Sequence, residues 1–107
     1  MKAYEVINNT KTFQDYQSQR IQQIDGVWYW NEWCVSYSQQ GVASPHFFVK
    51  LEDSQACFER LFQDYEKCWG NNTVTTKTES NDQKRIVFKK KRGTLTGTLT
   101  LRKLVVS

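Results

Sequence analysis

Residues 53–69 read DSQACFERLFQDYEKCW, and the recurrence of their apolar side chains decides the fold. Phe58, Leu61, Phe62, Tyr65 and Trp69 fall at spacings of three, one, three and four, which is the repeat of a helix with a single apolar stripe. Glu59, Arg60, Gln63, Asp64 and Lys67 occupy the other side. Asp53 or Ser54 is the expected N-cap, and Gly70 the expected stop. Such a stripe has to be buried, and the flanking sequence offers a sheet to bury it against.

Upstream, residues 27–38 hold the densest strand signal, rich in Trp, Tyr and Val. Read as one strand, they place Val27, Tyr29, Trp33, Val35 and Tyr37 on one face and Trp28, Trp30 and Cys34 on the other. Both faces are aromatic at the start, which means either a strand covered on both sides or an aromatic face left open for a ligand. Residues 39–45 read as a loop from their Gly and Pro. Residues 46–51 read as a second strand, with Phe47, Val49 and Leu51 alternating against His46, Phe48 and Lys50. Residues 2–7 read as a short strand. In residues 12–24, Phe13, Tyr16, Ile21 and Ile24 lie on a loose helical stripe among Gln-rich polar neighbours, so this stretch reads as a surface helix stopped by Asp25-Gly26.

Downstream, residues 73–79 and 85–89 are β-prone runs joined by Ser80-Asn81-Asp82-Gln83, and residues 94–106 form a longer strand after Gly93. Gly97, within the Thr-Leu alternation of that strand, marks a bulge or a close approach of another backbone. The expected fold is α+β in a single domain over residues 1–107. An antiparallel sheet of about five strands carries the amphipathic helix of residues 53–69 on one face, with a second short helix near the N-terminus and a basic C-terminal β-meander at residues 73–107.

At 107 residues and 38% hydrophobic content, the chain supports one modest core, and its four Trp, five Tyr and six Phe make that core aromatic-rich. No run approaches the roughly 20 apolar residues of a membrane span, and MKAYEVINN lacks the apolar segment of a secretory signal, so a cytoplasmic protein with no membrane contact is expected. Cys34, Cys57 and Cys68 contain no CxxC spacing, and a helix holds Cys57 and Cys68 too far apart for a disulfide. Reduced thiols are expected, in a monomer or homodimer without metal or cofactor.

Acid–base and nucleophilic catalysis draw mostly on His, Cys or paired carboxylates brought together. The chain has one histidine, His46, and its carboxylates are scattered over helix faces. No HExxH, GxSxG, GxGxxG or P-loop string is present. A binding protein rather than an enzyme is expected.

The net charge of +4 conceals a polarised distribution. Residues 1–82 hold eleven acids and seven bases, whereas residues 83–107 hold eight bases and no acid. Lys84, Arg85, Lys89, Lys90, Lys91, Arg92, Arg102 and Lys103 therefore form the expected interaction surface, since clustered cations on a rigid hairpin neutralise phosphates or an acidic protein face. Such a tract also serves as a lysine-protected strand edge. The aromatic string Trp28-Tyr29-Trp30-Asn31-Glu32-Trp33 is the second expectation. Core packing accounts for most of these rings, while an exposed Trp28, Trp30 or Trp33 would stack on bases or anchor a protein interface.

The order of elements adds one likeness. A strand starting at Tyr4, an aromatic strand ending in Trp33, a Gly-containing loop and the helix with Ala56-Cys57-Phe58-Glu59-Arg60-Leu61-Phe62 ending near Trp69-Gly70-Asn71 together resemble the WGR domain over residues 4–71. The resemblance implies a DNA-associated module. It is divergent, because Trp33-Cys34-Val35 stands where the Trp-Gly-Arg tripeptide belongs, so Trp33 alone carries over. Two functions follow: a nucleic-acid-binding module using the basic hairpin and exposed aromatics, or a small inhibitor, immunity or adaptor protein docking on an acidic partner. The aromatics favour nucleic acid only if they share a surface with the cations.

Overall fold

The computed structural model describes residues 2–4 and 18–104. In chain order its elements are β1 (Lys2–Tyr4), β2 (Ile21–Ile24), β3 (Val27–Trp30), β4 (Trp33–Gln39), β5 (Val42–Phe48), α1 (Leu51–Trp69), β6 (Thr73–Glu79), β7 (Gln83–Lys90) and β8 (Thr96–Lys103). They make an α+β fold with a five-stranded antiparallel sheet in the order β5-β4-β8-β7-β6, and a three-stranded sheet in the order β1-β3-β2. Among the described residues, no helix is long and apolar enough to cross a membrane.

The stripe of α1 forms as its spacing predicts, and the helix packs over β8, β4 and β5. It starts at Leu51, two residues before the expected cap. Lys50 occupies the N-cap in extended conformation without a side-chain cap, and the Ser54 hydroxyl instead donates back to the Leu51 carbonyl at 2.7 Å. Glu52 and Asp53 in the first turn complement the helix dipole where a capping side chain would otherwise do so. Gly70 ends the helix at φ 76° and ψ −166°.

Register assigns faces, because residues directly opposite in antiparallel strands point the same way. Val35, Tyr37, Ile86, Phe88, Leu99 and Leu101 are buried beneath α1 together with Cys57, Phe58 and Trp69 of the helix. Leu61, Phe62 and Tyr65 lie half-buried at the margin of that core. Trp69 stacks on Phe88 with centroids 5.8 Å apart, and Tyr65 stacks on Tyr37 at 3.7 Å. The Trp69 indole N–H donates to the Tyr37 hydroxyl at 3.0 Å, which in turn donates to Gln39 at 2.6 Å, so the polar tips within this aromatic core are satisfied.

Several sequence expectations are corrected. Residues 21–24 form strand β2 and not the end of a helix, while residues 12–17 lie outside the described residues. Asp25-Gly26 is a hairpin turn, with φ 51° and 81°, since two consecutive positive φ angles match the right-handed twist of paired strands. Residues 27–38 divide into β3 and β4 at Asn31 and Glu32. Asn31 is buried, accepting from the Gln22 amide at 2.7 Å and donating to the Gln19 carbonyl at 3.0 Å, which ties the chain down where it changes sheets. The expected loop of residues 39–45 contracts to Gln40-Gly41, at φ 53° and 79°, and β5 runs straight through Pro45. Pro45 is tolerated because β5 is an edge strand. At Gly97, side chains rather than a backbone make the close approach: a Cβ there would overlap the Tyr37 hydroxyl and lie 2.8 Å from the Trp69 ring.

Candidate functional site

The five-stranded sheet has two unlike faces. Within QKRIVFKK of β7, Ile86 and Phe88 turn toward α1 and take Lys84 and Lys90 with them, so Arg85, Val87 and Lys89 face the other way. The same alternation in β8 buries Leu99 and Leu101 and turns Thr96, Thr98, Thr100 and Arg102 outward. In β4, Ser36 and Ser38 join them opposite Thr100 and Thr98. Thr76 and Thr78 of β6 extend the row on the far side. The outer face thus carries Arg85, Lys89 and Arg102 among a grid of hydroxyls, and none of its strands contributes a carboxylate to it.

All three of those cations are exposed. Arg85 sits opposite Thr100 and Arg102 opposite Gln83, which makes the two guanidinium groups diagonal neighbours with backbones about 7–8 Å apart. Lys89 is four positions along β7 from Arg85, a separation of about 13 Å. The acids gather on the opposite layer: α1 carries Glu52, Asp53, Glu59, Asp64 and Glu66 against Arg60 and Lys67. The outer face is therefore free of strand carboxylates, while the helix side carries both signs.

The remaining cations of the expected tract go elsewhere. Lys90 lies on the α1 side, where its ammonium donates to the Trp69 carbonyl and sits 5.7 Å from the centre of the Trp69 ring. Lys84 pairs with Glu79 at 3.8 Å at the surface, a contact of small energetic worth. Lys103 is opposite Trp33, again on the helix side. Lys91 and Arg92 lie exposed in the β7–β8 connection. The eight cations of residues 83–107 are thus split between two faces and a turn.

Trp33 does not share the cationic face. Trp33 packs half-buried against the core under α1. Trp28 and Trp30 lie half-buried on β3 in the three-stranded sheet, opposite Gln23 and Ile21. A cleft of ≈ 580 Å³ runs between that sheet and β5, and Gln22, Asn31, His46 and Phe47 are among its lining.

Cys34 and Cys57 are buried, whereas Cys68 is exposed. Burial pushes the Cys34 thiol up against the opposing pull of nearby Arg102, and burial likewise pushes Cys57 up against Arg60. A raised thiol is mostly protonated at neutral pH and a poor nucleophile. Among the described residues, no three His, Cys, Asp or Glu side chains converge into a group that could hold a metal ion.

Reading the tract as one block missed the division of cations between faces and the hydroxyl grid. The signal that finds both is the strict alternation around Ile86-Val87-Phe88 and Leu99-Thr100-Leu101, where the apolar partners fix which cations turn outward. No protein-family profile, curated protein or solved structure matches the chain.

Proposed function

We propose that the chain is a non-enzymatic nucleic-acid-binding module that takes a phosphate backbone on the outer face of its five-stranded sheet. The observation that carries this reading is the exposed set Arg85, Lys89 and Arg102, held on rigid strands among Ser and Thr hydroxyls with no strand carboxylate on the same face. Cations neutralise phosphates and hydroxyls donate to phosphate oxygens, which is the chemistry of backbone recognition without sequence readout. The acidic outer surface of α1 repels the same ligand and so orients it. Trp33 lies on the helix side and Trp28 and Trp30 belong to another sheet, so electrostatics on the outer face carries this reading. The buried Cys34 and Cys57 thiols, both raised by burial, and the single histidine support the non-enzymatic part.

The test compares two triple variants of equal charge change. Arg85→Gln, Lys89→Gln and Arg102→Gln together should weaken binding to oligonucleotides, with the slope of log affinity against log salt becoming shallower by about 2 to 3. Lys77→Gln, Lys84→Gln and Lys103→Gln, all on the helix side, should change both quantities much less. Fluorescence anisotropy at several salt concentrations measures them. Equal losses in the two variants would remove the face assignment. If the wild type binds no oligonucleotide at low salt yet retains an acidic protein through Arg85, Lys89 and Arg102, docking on an acidic partner is the function of this face.

A further inference from the structure

The two edges of the five-stranded sheet are β5 and β6, and they are built differently. β5 carries Pro45 in mid-strand, which removes a backbone donor and blunts that edge. β6 reads TVTTKTE over seven residues, has neither Pro nor Gly, and pairs with β7 without a register break from Thr73 to Glu79. Five of its residues are β-branched, and all but Thr73 are exposed. Among the described residues no strand lies on its outer side. Among the described residues, the five-stranded sheet therefore presents a strand-prone template with unbroken register at its β6 edge.

Beside this edge, on the helix side, lies a groove of ≈ 280 Å³ between α1 and the β6–β7 hairpin. Phe58 and Ile86 form its floor, and Phe62 its wall. Lys77 projects from β6 over the Phe62 ring at 4.5 Å, and Lys84 lies across from Glu79. The groove exists because α1 covers β8, β4 and β5 and stops short of β6. Strand addition needs both parts: a free ladder for main-chain hydrogen bonds, and a recess that takes alternate side chains. Charge selects the occupant, since the helix-facing positions of β6 and β7 carry Lys77, Lys84 and Lys90 against Glu79, with Glu59 of α1 the other carboxylate of the groove.

We propose that β6 is a docking edge for an extended acidic segment of another protein, which adds as a sixth strand and places apolar and carboxylate side chains against Phe62 and Lys77. This edge is separate from the outer face assigned to nucleic acid, so the two interactions stand or fall independently.

The probe is a capped synthetic peptide of alternating valine and glutamate, matched in length to β6 and titrated into the isotopically labelled protein. Amide shifts are expected along β6 and at Phe62 and Lys84, with slowed hydrogen exchange at alternate β6 amides. Binding should weaken with salt, and Lys77→Glu should weaken it by about tenfold. A valine–lysine peptide should bind far less, and equal binding of the two peptides would overturn the acidic assignment. Backbone N–H groups alternate between β7 and the free side, so one of Thr75→Pro and Thr76→Pro removes an outward donor while leaving the β6–β7 ladder complete. The variant that keeps the wild-type spectrum outside β6 should lose the peptide. Undiminished binding by that variant and by Lys77→Glu, or no shift in β6 for the wild type, overturns the proposal. Shifts in β6 that depend on protein concentration without peptide would make a second copy the occupant and overturn it equally.

Discussion

At the scale of single residues, the tightest constraint is Gly97. Its Cα lies against the Tyr37 hydroxyl and the Trp69 ring, and both of those groups are held by the Trp69–Tyr37–Gln39 hydrogen bonds and by stacking on Phe88 and Tyr65. Neither ring has room to retreat. Gly97→Ala should therefore destabilise by about 1–3 kcal/mol through overpacking, read as a lowered denaturant midpoint. An unchanged midpoint would mean that the aromatic cluster is looser than drawn. The ionisable core groups give a pH signature. Burial raises the Cys34 and Cys57 thiols, and burial followed by neighbouring Tyr37 raises the Tyr65 phenol. Each is neutral when protonated, so the folded state favours the protonated form. The stability they contribute is complete below the unfolded values of 9.0 for the thiols and 10.0 for the phenol, and is lost as pH rises past them. Denaturant midpoints should hold steady near neutrality and fall above pH 9.0. A rise with pH across that window would contradict the burial of these groups.

At the scale of elements, α1 and its Gly70 stop were legible because a helical stripe five positions strong admits one reading. Gly70 sits at φ 76° and ψ −166°, a region that residues with a Cβ essentially do not occupy. Gly70→Ala should cost on the order of 1–3 kcal/mol, measured by thermal or chemical unfolding, even though open space surrounds the site. No loss would place the helix end elsewhere. Residues 21–24 were misread for a physical reason. Ile21 and Ile24 are three apart, which is one face of a helix but opposite faces of a strand, and the structure buries Ile21 at 2% exposure while leaving Ile24 at 38%. Asp25-Gly26 supplied the correcting signal, because that dipeptide between two β-capable runs specifies a hairpin. The break at Asn31 and Glu32 could not be read locally. It depends on Gln19 and Gln22 reaching Asn31 from another strand, a contact that periodicity does not encode.

At the scale of the whole molecule, the sheet acts as a partition, with a basic, hydroxyl-bearing face free of strand carboxylates on one side and a layer of mixed charge around α1 on the other. Net charge and the basic C-terminal quarter were visible in the sequence, but the partition was not, because contiguous cations take opposite faces of a strand. Whether the aromatics share a surface with the cations was not legible either, because the chain changes sheets between Trp30 and Trp33, and Trp33 turns to the helix side. The central proposal is that the outer face of β4, β8 and β7 binds a polyanion. Amide shift mapping of the labelled protein with a single-stranded oligonucleotide, repeated at raised salt, tests it most directly. Perturbations should centre on Arg85, Lys89, Thr98, Thr100 and Arg102 and recede as salt increases. Perturbations centred on α1 or the β6 edge, or none at low salt, would contradict it.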